Sequence, residues 1–104
     1  MSGPAVLRLH GDLGLAGAPS LRETLLEALR ETTSKALVLD MTEVPFIDSI
    51  GVGVILGARK RLIADGRELR MAALHERVLR TLTIMGLHTI IDIYPTVEAA
   101  LAEE

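Results

Sequence analysis

VPFIDSIGVGVILGARK, residues 44–60, decides the reading of this chain. An aliphatic run closed by an acid, Ala36-Leu37-Val38-Leu39-Asp40, leads up to it, and a stretch of small and aliphatic residues leads away. Asp48 and Ser49 stand at the join. Both residue types cap helix N-termini, because a short side-chain oxygen accepts the first unpaired backbone N–H groups. The join therefore predicts a strand over 36–41, a crossover, and a helix over 50–64 that Asp65-Gly66 ends, glycine being at home in the left-handed position after a helix. Gly51, Gly53 and Gly57 fall inside that helix, where each costs roughly 1 kcal/mol against alanine. Close approach accounts for such residues: of the helix to its own sheet, of another protein to the helix, and here the expectation is both.

Outward from the join, elements of alternating type appear. Residues 5–10, AVLRLH, alternate, with Val6 and Arg8 on one face and Ala5, Leu7 and Leu9 on the other, as in a half-buried strand. Gly11-Asp12-Leu13-Gly14 is a turn. Ser20 or Pro19 opens a helix to about 32, with Leu21, Leu25, Leu26 and Leu29 on one face, and Glu23 completes a capping box with Ser20. The run at 36–41 is apolar throughout, which fits a strand covered on both faces. A strand over 68–74, a helix over 75–85 with Val78, Leu79, Leu82 and Met85 inward, a strand over 90–94 and a helix over 97–103 complete the pattern. Alternation of this kind predicts an α/β fold: about four strands in a mixed, largely parallel sheet packed with about four helices. With 104 residues the chain supports one core, so a single domain spanning 1–104 is expected.

Composition excludes several function classes. Phe46 and Tyr94 are the only aromatics, too few for a stacking platform for sugars or single-stranded nucleic acid. A formal charge of −3 also argues against nucleic acid, whose binders show a basic excess. Without cysteine there is no disulfide, thiolate nucleophile or Cys-ligated zinc. The N-terminal stretch lacks the charged and apolar regions of a secretory signal, and the apolar run at 52–58 is far short of the ~20 residues a bilayer span needs. A cytoplasmic domain that touches neither membrane nor nucleic acid is the expectation.

Catalytic and cofactor motifs fare poorly. Gly51, Gly53 and Gly57 miss the dinucleotide spacing by one residue, no phosphate-binding loop is present, and no cofactor is expected. His10, His75 and His88 are scattered without ligand spacing, so no metal is expected either. A ligand or enzymatic site would need a closed pocket lined by Asp40, Asp48 and Ser49, and no second acid–base partner accompanies them. The chain does not read as an enzyme. Ser49 taken alone is a helix cap, since caps far outnumber switches. An exposed hydroxyl at a helix N-terminus is nevertheless a good phosphate acceptor, because the helix end tolerates the anion and a charge of about −1.5 to −2 can expel a docked partner.

The segment 36–74 followed by 78–101 resembles the STAS domain of bacterial anti-sigma factor antagonists. The similarity runs over 7–101 and is carried by Phe46, Asp48, Ser49, Gly51, Gly53, Leu56, Gly66, Gly86, Leu87, Ala99 and Leu101. The resemblance implies that the unphosphorylated domain binds an anti-sigma factor that is also a Ser/Thr kinase, freeing a sigma factor. Phosphorylation of the serine after the motif aspartate then ends binding, and a Ser/Thr phosphatase resets the switch. It puts the phosphoacceptor at Ser49 and a partner-binding surface at Asp12, Asp48, Ser49, Ile50, Gly51, Val52, Gly53, Leu56 and Lys60. Val52, Leu56 and Lys60 follow helical spacing as one outward stripe, with Ile55 and Ile63 facing the core. The chain departs from the family at three places. Gly14 stands where an aspartate is common, Ile50 replaces a second hydroxyl residue, and a first edge strand is expected to be missing or shrunken. The alternative function is a STAS scaffold, never phosphorylated, in a sensory assembly or transporter.

Overall fold

The computed structural model, which describes residues 3–102, puts the apolar run at 36–41 inside a sheet with both faces covered. The elements are β1 Ala5–His10, α1 Ala18–Glu31, β2 Ala36–Glu43, α2 Ser49–Ala64, β3 Glu68–Ala72, α3 Glu76–Ile84, a 3₁₀ turn Leu87–Thr89, β4 Asp92–Tyr94 and α4 Val97–Ala102. The strands lie in the order β1-β2-β3-β4, and all three pairings are parallel, so the sheet is not mixed among the described residues. Parallel neighbours joined by right-handed crossovers carry successive helices to one face. Accordingly Leu21 and Leu25 of α1, Ile55 and Leu62 of α2, and Val78 and Leu82 of α3 share a core with Leu37, Leu39 and Met41 of β2.

The other face is smaller. Val38 and Ala72 meet Ala100 of α4, with Tyr94 and Val97 packed at its rim. Arg70, buried on this side, donates to the Ala100 carbonyl at 2.7 Å and to Glu68 Oε2 at 2.7 Å. A cation on the last carbonyls of a short helix satisfies acceptors the helix leaves open. Asp40 belongs to the same face and is 3% exposed. Its Oδ1 accepts from the Thr42 hydroxyl at 2.6 Å and the Thr42 amide at 3.0 Å, and Arg8 Nε donates to Oδ2 at 3.1 Å. Burial on its own raises the Asp40 pKa, but the Thr42 and Arg8 contacts outweigh it and hold the carboxyl below its ordinary value of 3.8. A depressed folded pKa stabilises the fold above the unfolded value, and that contribution is lost as pH falls through the folded one. Asp40→Asn is therefore expected to melt below the parent near neutrality, the gap closing as pH falls below 3.8 and through the depressed folded value; differential scanning fluorimetry across pH reads it directly.

Several expected boundaries move for identifiable reasons. β3 stops at Ala72 because Ala73 takes φ 60°, a left-handed conformation that leaves the extended region. The helix expected from 19 or 20 starts at Ala18, so Pro19 lies in its first turn and Gly17 is the cap; the Ser20–Glu23 capping box does not form. In α3 only Val78 and Leu82 are buried, while Leu79 and Met85 face solvent, since one ridge of this short helix suffices to cover its part of the sheet. Gly86, at φ 80°, turns the chain into the 3₁₀ turn, and β4 shrinks to Asp92–Tyr94. The expected end of the last helix at Glu103 lies outside the described residues, as do the first residues of the N-terminal stretch read for a signal.

Candidate functional site

Two loops at the C-terminal edge of the sheet are stitched together by backbone. Past the end of β1 the Gly11 amide donates to the Glu43 carbonyl at 2.9 Å and the Leu13 amide to the Phe46 carbonyl at 2.9 Å. The Asp48 amide returns a bond to the Leu13 carbonyl at 3.3 Å, and Leu13 and Ile47 form a parallel bridge. The β1–α1 loop thus continues the pairing with the segment that enters α2. Open α/β sheets present their binding surfaces at this edge.

Asp48 is the N-cap. Its backbone is extended, and Oδ1 accepts from the amides of Ile50 (2.9 Å) and Gly51 (3.2 Å), which the helix itself leaves without partners. Asp48→Ala is expected to cost about 1 kcal/mol, a loss of roughly 4–8 °C in melting temperature for a domain of this size, measurable by calorimetry. Gly14 closes over the same carboxylate. A Cβ built there would come within 2.7 Å of Asp48 Oδ2 and 3.1 Å of Phe46 Cε2. Gly51 is tighter still. Its added Cβ would collide with the Leu13 carbonyl oxygen, 2.8 Å from the carbonyl carbon and 3.1 Å from Ile47 Cγ1. The close approach expected of the helix glycines is thus real at Gly51, but it is to the β1–α1 loop rather than to the sheet. A Cβ built at Gly53 or Gly57 would meet nothing within 4 Å beyond the helix itself.

Ser49 is the first residue of α2 and is exposed, its hydroxyl making no hydrogen bond among the described residues. The adjoining segments carry exposed apolar side chains: Leu15, 74% exposed, beside Gly14 on the β1–α1 loop, Phe46 before the cap, and Ile50 in the first turn of α2. Leu15 and Phe46 are absent from the contact set read from sequence. A usable signal existed for Phe46, one of only two aromatics, placed three residues before Ser49.

The outward stripe on α2 needs correcting. Val52 is 2% exposed and belongs to the core, and Gly51 is buried against Leu13, so neither faces a partner. Ile63, expected inside, is 48% exposed. The reason is the width of the buried arc, which takes in Val52, Val54, Ile55, Ala58 and Leu62. α1 packs along one side of α2, and toward the other Arg59 Nη2 donates to the Ile90 carbonyl at 3.2 Å. The exposed residues of α2 are Ser49, Ile50, Gly53, Gly57, Lys60, Arg61, Ile63 and Ala64, with Leu56 half-buried among them. Asp12 is exposed on the β1–α1 loop, next to Leu13.

The structure does not bring Asp40 together with Asp48 and Ser49, because Asp40 is engaged by Arg8 and Thr42 on the α4 side of the sheet. His10 pairs with Glu43 at 2.7 Å, His75 Nε2 lies 2.7 Å from the Thr42 carbonyl, and His88 is exposed beyond α3. Among the described residues no cluster of three or more metal-binding side chains occurs, and no helix is long and apolar enough to cross a membrane.

The STAS domain profile matches residues 2–100. The chain belongs to the STAS domain family. It is 33% identical over 101 residues to the anti-sigma F factor antagonist of Paenibacillus polymyxa, covering 97% of this chain and 86% of that one. With the anti-sigma-B factor antagonist of Listeria monocytogenes it shares 38% identity over 90 residues, 81% of this chain and 78% of the relative. Among solved STAS folds, the anti-sigma factor antagonist SpoIIAA in its unphosphorylated form superposes with a TM-score of 0.76 at 23% identity, covering 96% of this chain and 86% of that one. The phosphorylated form of the Bacillus SpoIIAA gives 0.68 at 22% identity, covering 96% of this chain and 89% of that one.

Proposed function

We propose that this chain is an anti-sigma factor antagonist whose binding is switched at Ser49. Unphosphorylated, it binds an anti-sigma factor that is also a Ser/Thr kinase and so frees a sigma factor for transcription. Transfer of the γ-phosphoryl group from ATP to Ser49 Oγ, with loss of the hydroxyl proton and release of ADP, ends that binding, and a Ser/Thr phosphatase restores it. The observation that carries the reading is the placement of Ser49: an exposed hydroxyl without hydrogen-bond partners among the described residues, at the first residue of a helix whose cap is already supplied by Asp48. Because Asp48 does the capping, Ser49 is not needed for it. The names of the relatives, and the two phosphorylation states of SpoIIAA, support the same reading.

In this reading residues 1–104 act as one cytoplasmic regulatory domain that binds a protein and catalyses nothing. The partner surface is Asp12, Asp48, Ser49, Ile50, Gly53, Leu56 and Lys60, joined by Leu15 and Phe46, exposed apolar side chains on the two loops that pair ahead of α2. Incubation with the kinase-type anti-sigma factor of the same genome and ATP, followed by intact-protein mass spectrometry and fragment mapping, tests the reading. One phosphate on Ser49 is expected; phosphate elsewhere, or none, overturns it.

A further inference from the structure

A shallow groove runs between α1 and α2, walled by Arg22, Leu25, Leu26 and Leu29 on one side and by Gly53, Val54, Gly57, Ala58 and Arg61 on the other. Its chemistry is lopsided. The interior is apolar, no acid lines it, and Arg22 and Arg61 are exposed and make no ion pair among the described residues. Its volume, ≈ 210 Å³, is below the roughly 300–1,000 Å³ of pockets that enclose small ligands. The space suits a ridge of side chains from another helix rather than an enclosed molecule.

The glycines point the same way. A Cβ at Gly53 or Gly57 would meet nothing within 4 Å, so no contact inside the molecule requires glycine at either place. Alanine would favour the helix by roughly 1 kcal/mol at each. A second helix lying in the groove supplies the missing reason, because the separation of packed helix axes, 8–10 Å, is set by the side chains at the contact. Continuity with the switch is built into the spacing. Ser49, Gly53, Gly57 and Arg61 follow one another at intervals of four and form a single exposed ridge of α2.

We infer that this groove receives an acidic amphipathic helix of the anti-sigma factor, its apolar side chains over Gly53 and Gly57 and its carboxylates against Arg22 and Arg61. The inference rests on the function proposed above and adds the physical cause of release. A phosphate on Ser49 stands at the end of the ridge along which the acidic helix lies, and like charges across a contact repel the partner that neutral Ser49 admits.

The test measures affinity for the ATP-bound anti-sigma factor by titration calorimetry, with melting curves as the control for folding. Gly57→Leu fills the groove from open space and is expected to weaken binding at least tenfold without lowering the melting temperature. The double substitution Arg22→Glu, Arg61→Glu is expected to weaken it as much and to flatten the salt dependence seen with the parent chain. Parent-like affinity in both variants overturns the groove assignment while leaving the switch at Ser49 standing. No binding by the parent chain overturns the proposed function and this inference with it. Dodecanoate is the remaining arm: saturable amide shifts at Gly53 and Gly57 on its addition, with Gly57→Leu still binding the protein partner normally, would make the groove a site for a small amphiphile and overturn the helix.

Discussion

Gly51→Ala is expected to destabilise the domain by about 3 kcal/mol, the upper range for forcing an atom into filled space, and to lower the melting temperature by on the order of 15 °C. The added methyl has nowhere to go. It meets the Leu13 carbonyl, a backbone group held in place by its bond from the Asp48 amide and by the Leu13–Ile47 bridge. Relief requires the β1–α1 loop to lift or α2 to slide, and either movement disturbs the Asp48 cap. Gly53→Ala is the internal control, two residues along the same helix but facing open space. There the helix gains roughly 0.5–1 kcal/mol, and the melting temperature rises by a few degrees. Opposite signs for one substitution at these two positions, read by scanning calorimetry, are the expected result. A Gly51→Ala protein that melts with the parent would mean that the loop does not sit on the helix.

The second large effect is on binding. Ser49→Asp and Ser49→Glu, and more strongly the phosphorylated protein, are expected to bind the anti-sigma factor 10- to 100-fold less tightly, about 1.4–2.8 kcal/mol. Ser49→Ala is expected to stay within a few-fold of the parent and to be refractory to the kinase. The separation follows from geometry. Ser49 makes no internal hydrogen bond among the described residues, so alanine removes nothing the fold uses. An anion there is compatible with the helix N-terminus but costly beneath a docked protein surface. Melting temperatures of all these variants should lie close together, and surface plasmon resonance with the ATP-loaded partner measures the rest. Equal affinities for the alanine and aspartate proteins would remove Ser49 as the switch.

Much of this architecture was legible from local pattern. The alternation at 5–10 gave β1 with its faces assigned as they are found, Leu9 buried and Val6 exposed. The apolar run at 36–41 marked the strand buried on both faces, and the Asp48-Ser49 pair marked the start of α2. The misses come from forces that pattern does not carry. Whether Val52 or Ile63 points inward depends on what flanks α2 on either side, because a helix packed along both edges buries more than one stripe. The capping box at Ser20 obeyed its local rule, but Gly17 and Pro19 began the helix earlier and took the capping place away. The contact between Leu13 and Gly51 joins a loop to the first turn of a helix, and nothing in either segment announces the other. At the site, the motif located Ser49 and its cap, while the groove beside α1 and the exposed Leu15 became visible only once the helices were packed.

Gly14 closes over the outer oxygen of Asp48, so any side chain placed there must push that carboxylate and the Phe46 ring aside. In this chain, positions 14 and 48 are therefore one decision rather than two. A side chain introduced at 14 shifts the carboxylate at 48 that anchors the helix, so replacements at the two positions are coupled and their free energies do not add. The bare glycine is thus part of the helix anchor as well as a gap in the loop.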